Sequence, residues 1–315
     1  MVRTQERAVV LPNMHVPVLL KEVVELVQPK PGDVILDGTL GLAGHAKALL
    51  TEAGPHGRLI GLDADPAALA LARDGLEQLT ESVLLVEANF RHMKEVAEDL
   101  GFHQVNCILL DLGMSTMQLQ SPGRGFSFQR DEQLDMRFSP QQRITASDIV
   151  NTCPEQAVAD IIFRYGEEPQ SRRIARHIVA NRPIMSTGQL AAIVASAIGR
   201  RGRVHPATRV FQALRIAVND ELVALKDTLP QAVELLPPGG RLAVISFHSL
   251  EDRIVKEYFS VESRGCVCPP EAPFCICDHV ARLRVLTRRP VRPAPDEISN
   301  NPASRSARLR VAIKI

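Results

Sequence analysis

No stretch of this chain is long and apolar enough to cross a bilayer, which excludes a helical membrane protein and leaves no membrane among the expected partners. Charge of one sign is missing too. Over 315 residues the formal net charge is +1, so no global basic field announces a nucleic acid. The dinucleotide spacing G-x-G-x-x-G is absent. The apolar N-terminal stretch VVLPNMHVPVLL is interrupted by Pro12, Asn13, His15 and Pro17, unlike a signal peptide, so a cytoplasmic chain with reduced thiols is expected. What remains is the composition of an ordinary globule, 45% hydrophobic and 23% charged, with enough core for one large domain or two smaller ones.

The chain is organised around residues 33–66. Asp33-Val34-Ile35-Leu36-Asp37 is a short apolar run entering a glycine turn, which suits a buried parallel strand. Gly38, Gly41 and Gly44 follow at three-residue steps, then a helical pattern (Ala46, Leu49, Leu50) that stops at Gly54-Pro55. A second strand, Arg58 to Asp63, closes on another acid. Strand, glycine turn, helix, strand and acid make the first half of a nucleotide-binding doubly wound sheet. An acid at the first strand's tip, Asp37, sits badly beside the two phosphates of NAD. It suits a cationic ligand end, such as the ammonium and sulfonium of S-adenosylmethionine. Asp63 is placed to accept hydrogen bonds from two ribose hydroxyls, whereas Asp33 and Asp65 read as turn and capping acids. The balance favours S-adenosylmethionine over NAD.

The alternation continues with a helix over 67–79, a strand at 83–87, a helix over 91–100 and a strand at 105–111 that ends on Asp111. Strand tips carry function in such sheets, so Asp111 ranks above a generic surface carboxylate. Phe90 either lays its ring on a nucleotide base or packs in the core. From 112 to 207 no parallel strand is evident. Helices are predicted at 149–165, 174–180 and 187–197, after a basic, aromatic loop, Gly123-Arg124-Gly125-Phe126-Ser127-Phe128. A crossover helix at 210–236 and the turn Pro237-Pro238-Gly239-Gly240 lead to a fifth strand, RLAVIS, and to His248 in its tip loop. Segments 281–287 and 307–313 are expected to close the sheet as an antiparallel pair. The class is α/β: a Rossmann-like sheet of seven mostly parallel strands, typical of class I S-adenosylmethionine-dependent methyltransferases, with an inserted helical domain. The expected division is 1–112 with 208–315 for the sheet domain, 113–207 for the insert, and 262–280 for a cysteine-bearing insertion.

Two arginine-rich blocks hide inside the neutral total. Between Ser171 and Arg215 lie nine arginines (Arg172, Arg173, Arg176, Arg182, Arg200, Arg201, Arg203, Arg209 and Arg215) and no acid. The C-terminal block holds Arg282, Arg284, Arg288, Arg289, Arg292, Arg305, Arg308, Arg310 and Lys314 against Asp296 and Glu297. They read as a polyanion-binding surface or as solvated faces and turn arginines. Cys266-x-Cys268 and Cys275-x-Cys277 place four thiols in a short span, with Asp278 and His279 behind. That pattern suggests tetrahedral structural zinc, although the usual knuckle is C-x2-C. Cys107 reads as core.

Eight ordered phrases then carry a resemblance: HVPVLLKEV at 15–23, DGTLGLAGHA at 37–46, GLDADP at 61–66, DLGMST at 111–116, GRGFSFQRDEQLDMRF at 123–138, HPATRVFQALRIAVNDEL at 205–222, PGGRLAVISFHSLEDRIVK at 238–256 and NPASRSARLR at 301–310. Together they resemble the bacterial 16S rRNA (cytosine-N4)-methyltransferase family across nearly the whole chain. The resemblance implies methyl transfer from S-adenosylmethionine to a cytosine amine in the decoding centre. It also implies cofactor contacts from Ala43, Gly44, His45, Asp63, Phe90, Asp111 and Gln118. The partner implied is 16S rRNA in the small ribosomal subunit; a homodimer is left open. The family loop usually reads Gly-Gly-His, and Ala43 replaces the first glycine, which strains the turn if that position needs positive φ. Zinc at the cysteines does not follow from the family.

Many amino-methyltransferases place Asp/Asn-Pro-Pro-aromatic after the fourth strand; here the chain reads Asp111-Leu112-Gly113-Met114. Asp111 is expected to accept a hydrogen bond from the reacting amine, with His248 close by, or else only to hold the cofactor. Phe126 and Phe128 are candidates to stack on an unpaired base, with packing onto the insert favoured for Phe128. The competing readings are a non-catalytic ribosome-assembly factor with a cofactor pocket and, less well supported by the glycine spacing, an NAD(P)-dependent oxidoreductase.

Overall fold

The computed structural model describes residues 17–199, 205–269 and 274–315; Arg200, Arg201 and Arg203 of the first arginine block lie outside them. Seven strands form one sheet: β1 Val34–Asp37, β2 Arg58–Asp63, β3 Val83–Glu87, β4 Cys107–Asp111, β5 Arg241–Ser246, β6 Leu283–Val285 and β7 Arg308–Lys314, in the order β3-β2-β1-β4-β5-β7-β6. β1 to β5 pair in parallel, and β7 runs antiparallel between β5 and β6, the closing pair expected from the sequence. The chain steps outward from β1 through β2 to β3, then returns to place β4 on the other side of β1. That reversal makes a switch point at the carboxyl ends of β1 and β4, where ligands bind in open parallel sheets.

Helices cover both faces: α1 Leu20–Val27, α2 Gly44–Ala53, α3 Pro66–Gly75, α4 Met93–Asp99 and α5 Thr116–Gln120; then, after the insert, α11 Glu221–Leu235, α12 Ser249–Glu262 and α13 Pro295–Asn300. Strand residues alternate between two cores. Ile35, Leu59, Leu109 and Ile245 pack toward α1, α2 and α3, through Val23, Leu49 and Ala72. Leu36, Ile60, Ile108 and Val244 pack toward α4, α11 and α12, through Met93, Leu229 and Phe259. Because both faces are covered, these strands read as unbroken apolar runs. Burying a side chain such as Leu36 or Ile60 contributes about 2–3 kcal/mol. No helix among the described residues is long and apolar enough to cross a membrane.

The insert is built from α6 Ala146–Thr152, α7 Glu155–Gly166, α8 Ser171–Ala180, α9 Thr187–Ile198 and α10 Ala207–Asn219 around its own core, which includes Val150, Ile162, Ile178, Leu190 and Phe211. Two expected helices are each divided. The segment expected as a helix over 149–165 breaks at Cys153-Pro154: proline forces its predecessor out of the helical region, and Cys153 is extended at φ −68°, ψ 145°. The crossover helix expected over 210–236 breaks at Asp220, which adopts the left-handed conformation at φ 51°, ψ 34°. α10 therefore belongs to the insert's core, and the chain rejoins the sheet domain at α11.

The aromatic loop is also internal. Phe126 is buried and stacks on Phe138 with centroids 5.6 Å apart, so its ring is not free to receive a base. Phe128 packs edge-on against Phe211 at 5.1 Å, in line with the packing role favoured for it. Gly125 is required at this point: at φ +69°, an added Cβ would lie 2.2 Å from the carbonyl oxygen of Gln133.

Candidate cofactor and active site

Loops at the carboxyl ends of β1, β2, β3 and β4 enclose a pocket, completed by Met114, Phe138, Glu221, Leu225, Phe247 and Glu251. The glycine turn between β1 and α2 forms its floor. Leu40 N–H bonds to the carbonyl of Leu62, Gly41 N–H donates to Asp63 Oδ2 at 2.8 Å, and Asp65 N–H donates to Asp63 Oδ1 at 2.9 Å. Asp63 thus pins the turn while its carboxylate lies in the pocket wall. Burial raises its pKa, and the backbone donors only partly oppose that. Gly44 starts α2 against Pro17, where a Cβ would meet Pro17 Cγ at 2.3 Å.

Ala43 is the N-cap of α2 at φ 60°, ψ 21°. The conditional strain is therefore real: a left-handed alanine costs about 1–2 kcal/mol relative to its right-handed form. The side chain is buried and, unlike Gly44, His45, Asp63, Phe90, Asp111 and Gln118, Ala43 does not line the pocket.

Asp37 and Asp111 close the tips of β1 and β4. Thr39 ties them together, donating its N–H to Asp37 Oδ1 at 3.0 Å and accepting from Asp111 N–H at 2.6 Å through Oγ1. Burial drives Asp37 up to about 7, resisted by the Thr39 N–H and by His45. Burial, helped by Glu251, also drives Asp111 up to about 7. Asp111 Oδ1 has no hydrogen-bond partner, and Oδ2 lies 3.6 Å from His45 Nδ1. His45 is buried and held below its usual pKa by that burial. Its Nε2 lies 2.8 Å from the carbonyl of Val18, an atom that only accepts, so Nε2 carries the proton and Nδ1 is bare.

Gln118 lines the pocket, but its side chain is engaged. Oε1 closes a capping box on Ser115 N–H at 3.0 Å, and Nε2 donates to Asp65 Oδ2 at 3.1 Å. Asp65 caps α3, as read from the sequence, and also receives Arg124 at 2.9 Å, tying the insert to the second strand's loop. Asp33 accepts from Lys30 N–H at 2.8 Å, a turn acid as expected.

His248 is not in the pocket wall. It caps α12, with Nδ1 accepting from Glu251 N–H at 3.4 Å. Its Nε2 lies 3.0 Å from Glu251 Oε1, close in charge but not aligned as a hydrogen bond. The residue in the wall is Glu251, whose Oε2 accepts from Phe247 N–H at 2.8 Å. Burial would raise Glu251, yet His248 and Arg215 hold it below the usual range. Glu221, also in the wall, takes both bonds of the Arg215 fork, 2.8 and 2.9 Å, and burial still lifts its pKa. Glu221, His248 and Glu251 are close enough to share a cation, but the Arg215 guanidinium already meets both oxygens of Glu221. Glu221 and Glu251 were not singled out from the sequence, although both stand in the quoted phrases, in NDEL and HSLED.

The arginine blocks separate into two populations. Arg182 donates to the carbonyls of Val150 and Cys153, Arg209 pairs with Glu168, Arg282 with Glu262, and Arg308 and Arg310 with Asp252. Arg172 and Arg173 on α8, and Arg288, Arg289, Arg292 and Arg305 near the C-terminus, are exposed. The four cysteines at 266, 268, 275 and 277 come together, outside the pocket.

The chain can be compared with known proteins on this basis. A family model described as the MraW methylase family matches residues 12–315. A protein of Thermomicrobium roseum named ribosomal RNA small subunit methyltransferase H is 52% identical over 309 residues, 97% of this chain and 95% of its own. One of the same name from Dehalococcoides mccartyi (strain BAV1) is 51% identical over 96% of this chain and 86% of its own. Among solved structures, an rRNA methylase from Streptococcus thermophilus overlaps 96% of this chain and 99% of its own at 9% identity and a TM-score of 0.44, too remote to inform the site. Matched along nearly its whole length, and half identical to relatives over the same span, this chain belongs to the MraW methylase family.

Proposed function

We propose that this protein is a cytoplasmic enzyme that transfers a methyl group from S-adenosylmethionine to the N4 amine of a cytosine in the decoding centre of small-subunit rRNA. One observation carries most of the cofactor reading. Two carboxylates of the pocket wall, on Asp63 and Asp111, stand at the switch point around a glycine turn, with Asp37 buried close enough to act on both by charge, and Asp111 Oδ1 is buried without a partner. A buried oxygen of that kind calls for a donor or a cation from a ligand, and the cluster repels a pyrophosphate. The relatives' shared name supports small-subunit rRNA as the acceptor.

When bound, the cofactor supplies an electrophilic methyl on a sulfonium that departs as a neutral thioether. Asp63 accepts from the ribose hydroxyls and stays fixed by Gly41 and Asp65. Asp111, ionised by the nearby positive charge, accepts a hydrogen bond from the cytosine amine. That bond pulls the nitrogen lone pair out of conjugation, and the carboxylate takes the proton the amine loses. Glu251, held ionised beside Phe247, offers a second acceptor in the same wall. His248 then acts through Glu251 and not on the substrate. The exposed arginines of α8 and the C-terminal block hold rRNA phosphates. A zinc ion at the four cysteines is structural in this reading, because none of them lines the pocket.

Asp63→Ala is expected to weaken S-adenosylmethionine binding roughly 100-fold, about 3 kcal/mol, by removing charge-assisted bonds to the ribose and the anchor of the turn. Titration calorimetry measures this; an affinity within threefold of wild type would remove Asp63 from the ribose. The function itself is tested with labelled S-adenosylmethionine and small subunits from cells lacking the protein, followed by nucleoside mass analysis. N4-methylcytosine at one decoding-centre position, with rRNA affinity that falls as salt rises, is the expected result. Tight cofactor binding with no label transferred would replace this reading by that of an assembly factor.

A further inference from the structure

The four cysteines unused by methyl transfer lie at the sheet edge, on the segment between the end of α12 and β6. Their sulfurs enclose a small space. Cys268 and Cys275 Sγ are 4.0 Å apart, Cys275 and Cys277 3.6 Å, and Cys277 and Cys266 3.8 Å, with all four within 4.8 Å of one another. Four sulfurs held tetrahedrally at about 2.3 Å from one metal stand about 3.8 Å from each other. A disulfide instead draws its two sulfurs to about 2.05 Å. The observed separations therefore match the edges of a metal tetrahedron.

Backbone donors surround the sulfurs as well. Cys268 N–H points to Cys266 Sγ at 3.4 Å, Val267 N–H to Cys277 Sγ at 3.4 Å and Ile276 N–H to Cys268 Sγ at 3.3 Å. Such donors stabilise thiolate charge and orient the ligands. Among the described residues, no histidine nitrogen or carboxylate oxygen joins these sulfurs within the same 4.8 Å. The donor set is therefore S4.

Apolar burial does not order the described part of this segment. From Ser263 to Val280, no described residue is buried, and Phe274 and Ile276 are each 75% exposed. Exposed hydrogen bonds alone offset little of the conformational entropy lost on folding, about 1–2 kcal/mol per residue for the backbone. A metal cross-link between two C-x-C turns supplies the missing free energy, as in small domains that fold around an ion.

We propose that Cys266, Cys268, Cys275 and Cys277 bind one zinc ion as a tetrathiolate site that orders the segment joining α12 to β6. Soft sulfur ligands in a closed tetrahedron select zinc among the available divalent metals and leave no open position for chemistry. The assignment stands apart from the methyl-transfer reading, and its readout is the metal itself.

The test uses the full-length chain, purified under reducing conditions without chelators, loaded with zinc chloride and desalted. Elemental analysis is expected to find one zinc per chain, released when a mercurial blocks the thiols. In a Cys266→Ser/Cys277→Ser double variant zinc falls to background, cleavage by added protease between 263 and 280 accelerates, and cofactor binding persists because neither residue lines the pocket. Persistence shows that the sheet is folded, so metal loss is not a symptom of misfolding. Wild-type chain with no more zinc than the double variant, or with iron in its place, would overturn the assignment.

Discussion

Replacing Arg215 with methionine is expected to destabilise the protein by about 3–5 kcal/mol, the usual cost of leaving a buried partner charge uncompensated. Arg215 and Glu221 are 9% and 8% exposed, and the fork is bidentate at 2.8 and 2.9 Å. Burial disfavours the charged guanidinium, but Glu221 and Glu251 outweigh it and raise the pKa of Arg215 above its usual value. Without it, two buried carboxylates face each other with His248 as their remaining neighbour. The location adds to the effect. Arg215 is on α10 in the insert and Glu221 opens α11 on the sheet, so the pair spans the joint between them. Asn219, the last residue of α10, ties that helix's end to the loop of its own core, accepting from Phe138 N–H at 2.7 Å and donating to the carbonyl of Met136 at 2.8 Å. Arg215→Lys should rescue little, since an ammonium cannot reproduce the fork. Urea denaturation of the single variants and of Arg215→Met/Glu221→Met gives the measurement. The double variant should recover much of the loss. A cost below 1 kcal/mol in Arg215→Met would place the pair with solvent-exposed ion pairs instead.

The strands were legible because parallel strands covered on both faces leave continuous apolar runs, such as VILD and RLIGLD, bounded by glycine and acid. The acids were legible for a related reason: once the strands are placed, the switch point follows, and Asp37, Asp63 and Asp111 stand at its tips. Helix breaks were harder. Pro154 carried a visible signal that apolar periodicity on both sides obscured, whereas Asp220 turns left-handed in an Asn-Asp pair that sits within an unbroken helical pattern. Glu221 and Glu251 were beyond local reading. They begin helices whose positions depend on how an insert of its own core returns to the sheet, and spacing along the chain does not encode that return. The tip loop identified His248 as near the site, but only the capping geometry of α12 turns its ring onto Glu251. Charge told half of the arginine story. Arg182 and Arg310 stand in blocks that read as a polyanion-binding surface or as solvated faces, and they are instead spent on carbonyls and an acid of the fold.

Cofactor affinity is expected to fall steeply as pH drops through 7, and more steeply for S-adenosylmethionine than for S-adenosylhomocysteine. Asp37 and Asp111 are both raised to about 7, first by burial. In the ligand-free chain the sign is that of acids kept neutral by folding. Their contribution is fully present below the unfolded value near 3.8 and is lost as pH rises through about 7, because the folded state holds protons the unfolded chain has released. Binding reverses the preference. A cationic ligand favours the ionised form of Asp111 in the pocket wall and, through the field across the short gap, of Asp37 behind it, so below pH 7 it must first displace the Asp111 proton. Each carboxylate that ionises on binding costs about 20-fold in affinity between pH 7.5 and 5.5. The thioether product lacks the sulfonium charge, so its profile is shallower, which also helps the product to leave. Calorimetry in two buffers of different ionisation enthalpy would register the released protons, and Asp111→Asn should lower both the slope and the proton count. A flat profile over that interval, or identical profiles for the two ligands, would show that Asp111 does not meet the cofactor's charge. With the expected slopes, the acids at the switch point become the reason this pocket binds a sulfonium and turns away a pyrophosphate.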